Sequence, residues 1–193
     1  MKQATLLAAF IAIVSFSVAM PVIKNNQHGI SGDTSMMKYS DVREMLQDIL
    51  DITGLKTEIK LKEANVLNIE ASISHRKRYI SYNPTYIASL NKITRNKWAV
   101  MTLLAHEVGH HLNGHTIRKG GSTPELELEA DEFAGFILQK LGATLQESQN
   151  VMHYISISKE SRTHPAKKSR LNAIEKGWTK AAGAEQINTT AKK

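Results

Sequence analysis

Between Tyr39 and Thr53, apolar residues fall at Val42, Met45, Leu46, Ile49 and Ile52, three or four apart, with polar residues between them. That is the period of a helix with one buried face. Ser40 or Asp41 can cap its start, and Gly54 ends it. The period then changes. From Lys56 to Leu61, Thr57, Ile59 and Leu61 alternate with Glu58 and Lys60, which predicts a strand. Two more strands are predicted over about 66–74 and 78–82, the last closed by Asn83-Pro84. Their short connections imply an antiparallel or mixed sheet.

The pattern after Pro84 is helical. A short helix starts there, and a long one is expected over about 96–113, with Trp98, Met101, Leu104, Ala105, Val108 and Leu112 as its core stripe. Asn113-Gly114 stops it. Thr123-Pro124 opens another helix that runs to about Leu141 and ends at Gly142. A further helix covers about 145–156. A loop with Thr163-His164-Pro165 follows, then a short helix to Lys176 and Gly177. Residues 20–37 read as a flexible leader and 179–193 as a disordered tail. The fold class expected is α+β: one mainly helical domain over 38–178, with a small three-stranded sheet beside the long helix.

Composition narrows the picture. The 193 residues are 41% hydrophobic and 22% charged, enough for one core. Lys2, the apolar run Ala4 to Phe16, and the small residues Ser17 and Ala19 before Met20 read as an export signal over 1–19. An uncleaved anchor is the alternative, because the apolar stretch reaches Ile23, and membrane contact is expected only in that case. The rest of the chain is then periplasmic or secreted. The formal charge of +7 is scattered, and its densest runs, Arg76 to Arg78 and Lys167 to Arg170, are short. A solvated basic surface explains them, and no nucleic-acid partner is expected. With no cysteine, any metal must be held by His, Asp or Glu.

The stretch Ala105 to His115 holds four histidines and one glutamate. His106-Glu107-Val108-Gly109-His110 is H-E-x-x-H on the long predicted helix. Residues four apart share a helix face, so both imidazoles can reach one zinc ion. Glu107 then lies beside the open coordination position, where it can take a proton from a zinc-activated water. Gly109 lets another element come close. Two candidates exist for the third ligand. His115 is one, but the position following a helix stop puts it out of register. Glu127 is the other, on the acidic stretch Glu125 to Asp131 of the returning helix. It shares a face with Asp131, which can accept a hydrogen bond from the second nitrogen of a ligand histidine. Glu125 with Glu129 is the other same-face pair and ranks below. Ala130, Ala134 and Gly135 are small enough for close packing on the His106 helix.

The series His106-Glu107-x-x-His110, Glu127-x-x-Ala130-Asp131, His164-Pro165-x-x-x-x-Arg170 resembles the HtpX-like and CAAX-prenyl-endopeptidase type of gluzincin metallopeptidases, and most of all their small secreted, BepA-like members. The resemblance covers about residues 38–178. It implies a zincin-type fold, one Zn2+ per chain held by His106, His110 and Glu127, and Glu107 as the catalytic base. It also implies that the His-Pro segment lies close to the metal. His164 would then serve as an oxyanion donor or as a removable fourth ligand, and Arg170 would clamp Glu127, Asp131 or the substrate backbone. An ordinary loop histidine and a surface arginine are the plain alternatives. Tyr79, Ile80 and Ser81, just before the active helix, are a candidate sheet edge to which a peptide could add as a strand; a core strand is the alternative. The chain departs from the family in two ways. It lacks the several membrane helices of the well-known members and the helical repeats of the BepA-like ones.

The function expected is a zinc endopeptidase acting on exported, unfolded proteins, in envelope protein quality control. Two other classes remain: a latent chaperone-like adaptor that binds unfolded chains, and a zinc amidase acting on cell-wall peptides.

Overall fold

The computed structural model describes residues 37–56, 58–118, 121–156, 158–159 and 161–190. The export signal expected over 1–19 and the leader, save Met37, lie outside them. The fold is mainly helical with one small three-stranded sheet. Among the described residues, no helix is long and apolar enough to cross a membrane.

Helix α1 spans Tyr39–Thr53 and starts one residue before the predicted caps. The Lys38 N–H is held by the Asp41 carboxylate at 2.9 Å. Gly54 ends the helix in a left-handed conformation, φ 65°. Val42, Leu46, Ile49 and Leu50 face the core, while Ile52 turns outward.

Strands β1 (Ile59–Glu63), β2 (Ile69–Ser74) and β3 (Lys77–Tyr82) form a mixed sheet in the order β1–β3–β2. β3 runs parallel to β1 and antiparallel to β2. This corrects the expected substrate edge. Tyr79 is paired with both Lys60 and Ser72, Ile80 with Leu61 and Ala71, and Ser81 with Lys62 and Glu70. β3 is therefore the central strand, and its main chain has no side to offer a peptide. The cause lies in the two connections. A two-residue turn at His75-Arg76, both at positive φ, folds β3 directly back on β2. The chain after β1 crosses the end of β3 and is pinned there, where the Asn83 side-chain amide donates to the Val66 carbonyl and the Asn83 N–H donates to Asn68 O. β2 is left as the sheet edge on the side opposite β1.

Helix α2 (Pro84–Thr94) is capped by Asn83, whose side chain accepts from the Thr85 and Tyr86 amides. Helix α3 (Lys97–Leu112) is buried all the way from Ala99 to His111. The predicted stripe is too narrow for it, and Trp98 and Leu112 are only partly buried. α3 is packed by α1, α2, β2 and the later helices together, so it has no solvent face. A 3-10 turn at His115–Ile117 leads to α4 (Pro124–Lys140). The helix expected over 145–156 is split at Val151 into α5 (Leu145–Asn150) and α6 (Met152–Ile155).

The largest departure is at the C-terminus. Helix α7 runs from Lys167 to Thr190, where a short helix and a disordered tail were expected. It continues because it packs along α4. Gly177 and Ala181 are buried, the Trp178 indole N–H donates to Ala143 O at 2.8 Å, and Lys140 Nζ donates to Ala181 O at 3.0 Å. The α4–α7 contact is close enough to need glycine on both sides. A Cβ at Gly135 would run into the Ile174 carbonyl, and one at Gly177 into the Glu132 carbonyl. Gly135 thus serves α7, not the α3 contact expected for it. Both obstacles are backbone atoms, which cannot swing aside. Gly177→Ala is expected to cost about 3 kcal/mol, lowering the melting temperature by roughly 6–12 °C. Gly183→Ala, on the same helix with nothing within 4 Å, is the control and should leave stability equal or slightly higher. Equal melting temperatures for wild type and Gly177→Ala would contradict this packing.

Candidate metal centre

The site forms where α3 and α4 approach most closely. Gly109 on α3 makes this approach: a Cβ there would stand 3.2 Å from the Ala130 Cα and 3.1 Å from the Phe133 ring. The sequence argument for Gly109 and Ala130 therefore holds. The approach brings together residues one helical turn apart on each helix. His106 and His110 point toward α4, and Glu127 and Asp131 point back.

His106, His110 and Glu127 are fully buried and form the one group of potential metal ligands of its kind among the described residues. His106 Nε2 and His110 Nε2 are 3.0 Å apart. The Glu127 carboxylate lies 3.3 Å from the first and 3.5 Å from the second. A four-coordinate transition ion with bonds of about 2.0–2.1 Å sets its ligand atoms about 3.3 Å apart. The three donors thus converge on a point that fits one ion. Two further observations agree. The Glu127 Oε2 has no hydrogen-bond partner, and neither does either Glu107 oxygen, although all are fully buried. The Ala71 main chain on β2 faces the Glu107 carboxyl without closing a hydrogen bond. Polar atoms left bare in a protein interior are costly, so they mark a place built for something else.

Each ligand is held from behind. His106 Nδ1–H donates to Asp131 Oδ1 at 2.9 Å. Asp131 is itself gripped by Arg170 from α7, Nε to Oδ2 and Nη2 to Oδ1, both at 2.7 Å. Both contacts are among those the sequence offers, and of the partners open to Arg170 it is Asp131 that it grips. Ser122 Oγ donates to Glu127 Oε1. Ser122 was missed by the sequence reading; its only signal was a hydroxyl five residues ahead of the acidic ligand. His110 Nδ1 faces His115 Nδ1 at 3.0 Å, and His115 Nε2 faces Glu129 Oε2 at 2.9 Å. His115 is buried yet stands outside the ligand group, so it is not the third ligand. Glu125 is exposed. His111, on the other side of α3, donates from Nε2 to the Tyr79 carbonyl at 2.9 Å and ties the helix to β3.

Burial and charge together set the protonation of this cluster. Burial keeps the His110 imidazole neutral, with a pKa near 3, and the neighbouring His106 charge adds to the effect. Burial also pushes His106 down, but the hydrogen bond and charge of Asp131, joined by the nearby charge of Glu127, outweigh it and hold its pKa near 9. Burial lifts the Glu107 carboxyl to about 8 against the pull of the His106 charge. For Glu127, burial acts upward, but His106, His110 and Arg170 keep it well below the usual carboxylate range. Asp131 is likewise held low by Arg170 against its burial. Without an ion, then, His106 carries a second proton, on Nε2, and Glu107 carries one at pH 7.

Two further sequence candidates stand on other elements. His164 lies in the loop before α7, half-buried, with its main chain closing a turn on Ser161. Tyr79, Ile80 and Ser81 are in the sheet centre, as described above. Comparison with protein-family models, with curated proteins and with solved structures returns no match.

An ion must displace both stored protons. Titrating the metal-depleted protein with a divalent transition ion at pH 7 should release about two protons per ion, read from the dependence of the calorimetric enthalpy on the buffer. Release should fall as the pH rises through 8 and 9, where Glu107 and then His106 titrate, and approach zero about a unit higher. Glu107→Gln should release about one proton at pH 7. Binding without proton release at pH 7 would refute the assignment.

Proposed function

We propose that the chain is a zinc endopeptidase of the HtpX-like gluzincin type, with a zincin-type active site. The observation that carries the proposal is the convergence of His106, His110 and Glu127 on one point beside a buried, unpartnered Glu107. Two imidazoles and a carboxylate with a fourth position open are the donor set of a catalytic zinc site, and a chain without cysteine has no softer alternative. That helical spacing and the resemblance assign the same ligands, with Asp131 behind them, adds support.

Zinc supplies a Lewis acid that makes a water nucleophilic near neutral pH. The protein does the rest. Glu107, once the cation offsets its burial, is a carboxylate that takes the water's proton and passes it to the leaving amine. Its bare oxygens leave it free for both steps. Asp131 and Arg170 hold His106 in the tautomer that presents Nε2. His164, in the loop that leads into α7, is the proposed donor to the oxyanion of the tetrahedral intermediate, or the removable fourth ligand. The substrate is an extended, unfolded segment of an exported protein. It lies along β2, the strand that is at an edge and whose Ala71 faces Glu107, and not along Tyr79 to Ser81 as the sequence suggested. The N-terminal export pattern puts the site of action outside the cytoplasm.

The test is metal content together with casein cleavage. Wild type should carry one zinc per chain and cleave casein. Glu107→Gln should keep the zinc and lose activity by about 10²–10⁴-fold. Glu127→Ala should lose the zinc itself. A wild type without stoichiometric zinc overturns the reading. Zinc-dependent release of peptides from peptidoglycan with none from casein would favour an amidase. Binding of unfolded chains that survives Glu107→Gln, with no cleavage by wild type, would favour an adaptor.

A further inference from the structure

The metal reading uses His110 as a ligand but leaves His115 and Glu129 without a task. Their geometry is specific. His115 is buried, its ring is edge-on to that of His110 at 70° with centroids 5.1 Å apart, and its two nitrogens are each within 3.0 Å of a partner. Gly114, at φ 74°, turns the chain so that His115 comes back behind His110 instead of continuing the α3 helix. Glu129 sits on α4 two residues past the proposed ligand Glu127, with its carboxylate half-exposed.

We propose that His115 and Glu129 form a positioning relay that sets the tautomer and orientation of the metal ligand His110. This rests on the metal-centre reading above. Each hydrogen position follows from the one before. A neutral imidazole carries one proton. If His110 gives Nε2 to the metal, its proton is on Nδ1. That proton needs an acceptor, and the atom facing it is His115 Nδ1. His115 must then carry its own proton on Nε2, and the atom facing that one is Glu129 Oε2. The chain metal–His110–His115–Glu129 therefore has a donor and an acceptor at every junction. Its hydrogen-bond sense is fixed at the outer end, by a carboxylate that can only accept.

Without Glu129 nothing fixes His115. Its ring can then carry the proton on Nδ1, which would set two N–H groups against each other and drive the His110 proton to Nε2, where it blocks the metal. The relay thus does for His110 what Asp131 does for His106 in one step. The two sides differ in kind. Asp131 is buried and clamped by Arg170, whereas Glu129 reaches the surface.

The test is zinc affinity, measured against a competing chelator in the full chain. Removal of a group that orients a metal ligand typically costs 10–100-fold in affinity. His115→Ala is expected in that range, and Glu129→Ala at about 10-fold. Glu129→Gln keeps an acceptor oxygen and should stay within about threefold of wild type. Glu129 is half-exposed, so its variants answer the question even if His115→Ala fails to fold. A second readout is independent of affinity: nitrogen NMR of the zinc-loaded wild type should find His110 protonated at Nδ1 and His115 at Nε2. Unchanged zinc affinity in Glu129→Ala, or a His115 protonated at Nδ1, overturns the relay while the metal reading stands. A wild type that binds no zinc overturns both. Zinc binding without casein cleavage overturns the protease reading alone.

Discussion

A set of ionisable groups with no access to water governs this molecule. His106, Glu107, His110, Glu127, Asp131 and Arg170 all lie in the gap between α3, α4 and α7, and water cannot neutralise their charges there. Burying an unpaired charge costs several kcal/mol, so these groups have to balance one another. They do so in two states. In the metal-free state the Glu127 and Asp131 carboxylates face the Arg170 guanidinium and the His106 imidazolium, while Glu107 keeps its proton. A divalent cation that expels the protons of His106 and Glu107 leaves the balance as it was. The proton on His106 Nε2 occupies the place of the ion, 3.0 Å from the facing nitrogen of His110. The cluster is therefore stable in the fold without metal, yet shaped for it.

The packing that brings these groups together depends on three close approaches. Gly109 lets α4 come within reach of the histidines, and Gly135 and Gly177 let α7 lie on the far side of α4. The second contact looks remote from the site but is part of it. α7 begins at Lys167, and its fourth residue, Arg170, is the permanent cation that meets Asp131. If α7 were displaced, Asp131 would be a buried carboxylate whose one remaining counter-charge is the titratable His106. It would then compete for the proton of His106 instead of holding the ring. The long C-terminal helix is in this sense an extension of the metal site.

Some of this was readable in the sequence and some was not, for physical reasons. Helical spacing puts His106 with His110, and Glu127 with Asp131, on single faces, so four residues of the site follow from a period of 3.6. Gly109 against Ala130 follows from side-chain size. By contrast, strand order is not encoded in an alternation of period two. Arg78 to Tyr82 has the same pattern as an edge or as a centre, and only the pairing with both neighbours made it the centre. The length of α7 was missed because its buried residues, Ile174, Gly177 and Ala181, are mostly small, so the helix has almost no apolar stripe. His115 was weighed only as a ligand. Its role behind a ligand depends on the left-handed turn at Gly114, which distances along the chain do not reveal. Glu129 is hidden in the same way: it faces His115 and not the His106–His110–Glu127 cluster.

The sheet's part in the site follows from its attachment to α3. His111 is one residue past the ligand His110 and points about 100° away from it around the helix. It spends its Nε2–H on the Tyr79 carbonyl, in the strand at the sheet centre, and its pKa is held near 4 by burial, so it stays a neutral donor. Tyr79 is paired with Ser72 of β2, and Ser72 adjoins Ala71, the residue that faces Glu107. A single histidine thus fixes how far along α3 the sheet sits, and with it the height of the β2 edge above the Glu107 carboxyl. An extended chain lying on β2 would have its carbonyls at that height. The two neighbouring histidines have separate duties on one helix: His110 joins the cluster that could hold a metal ion, and His111 ties the helix to the sheet.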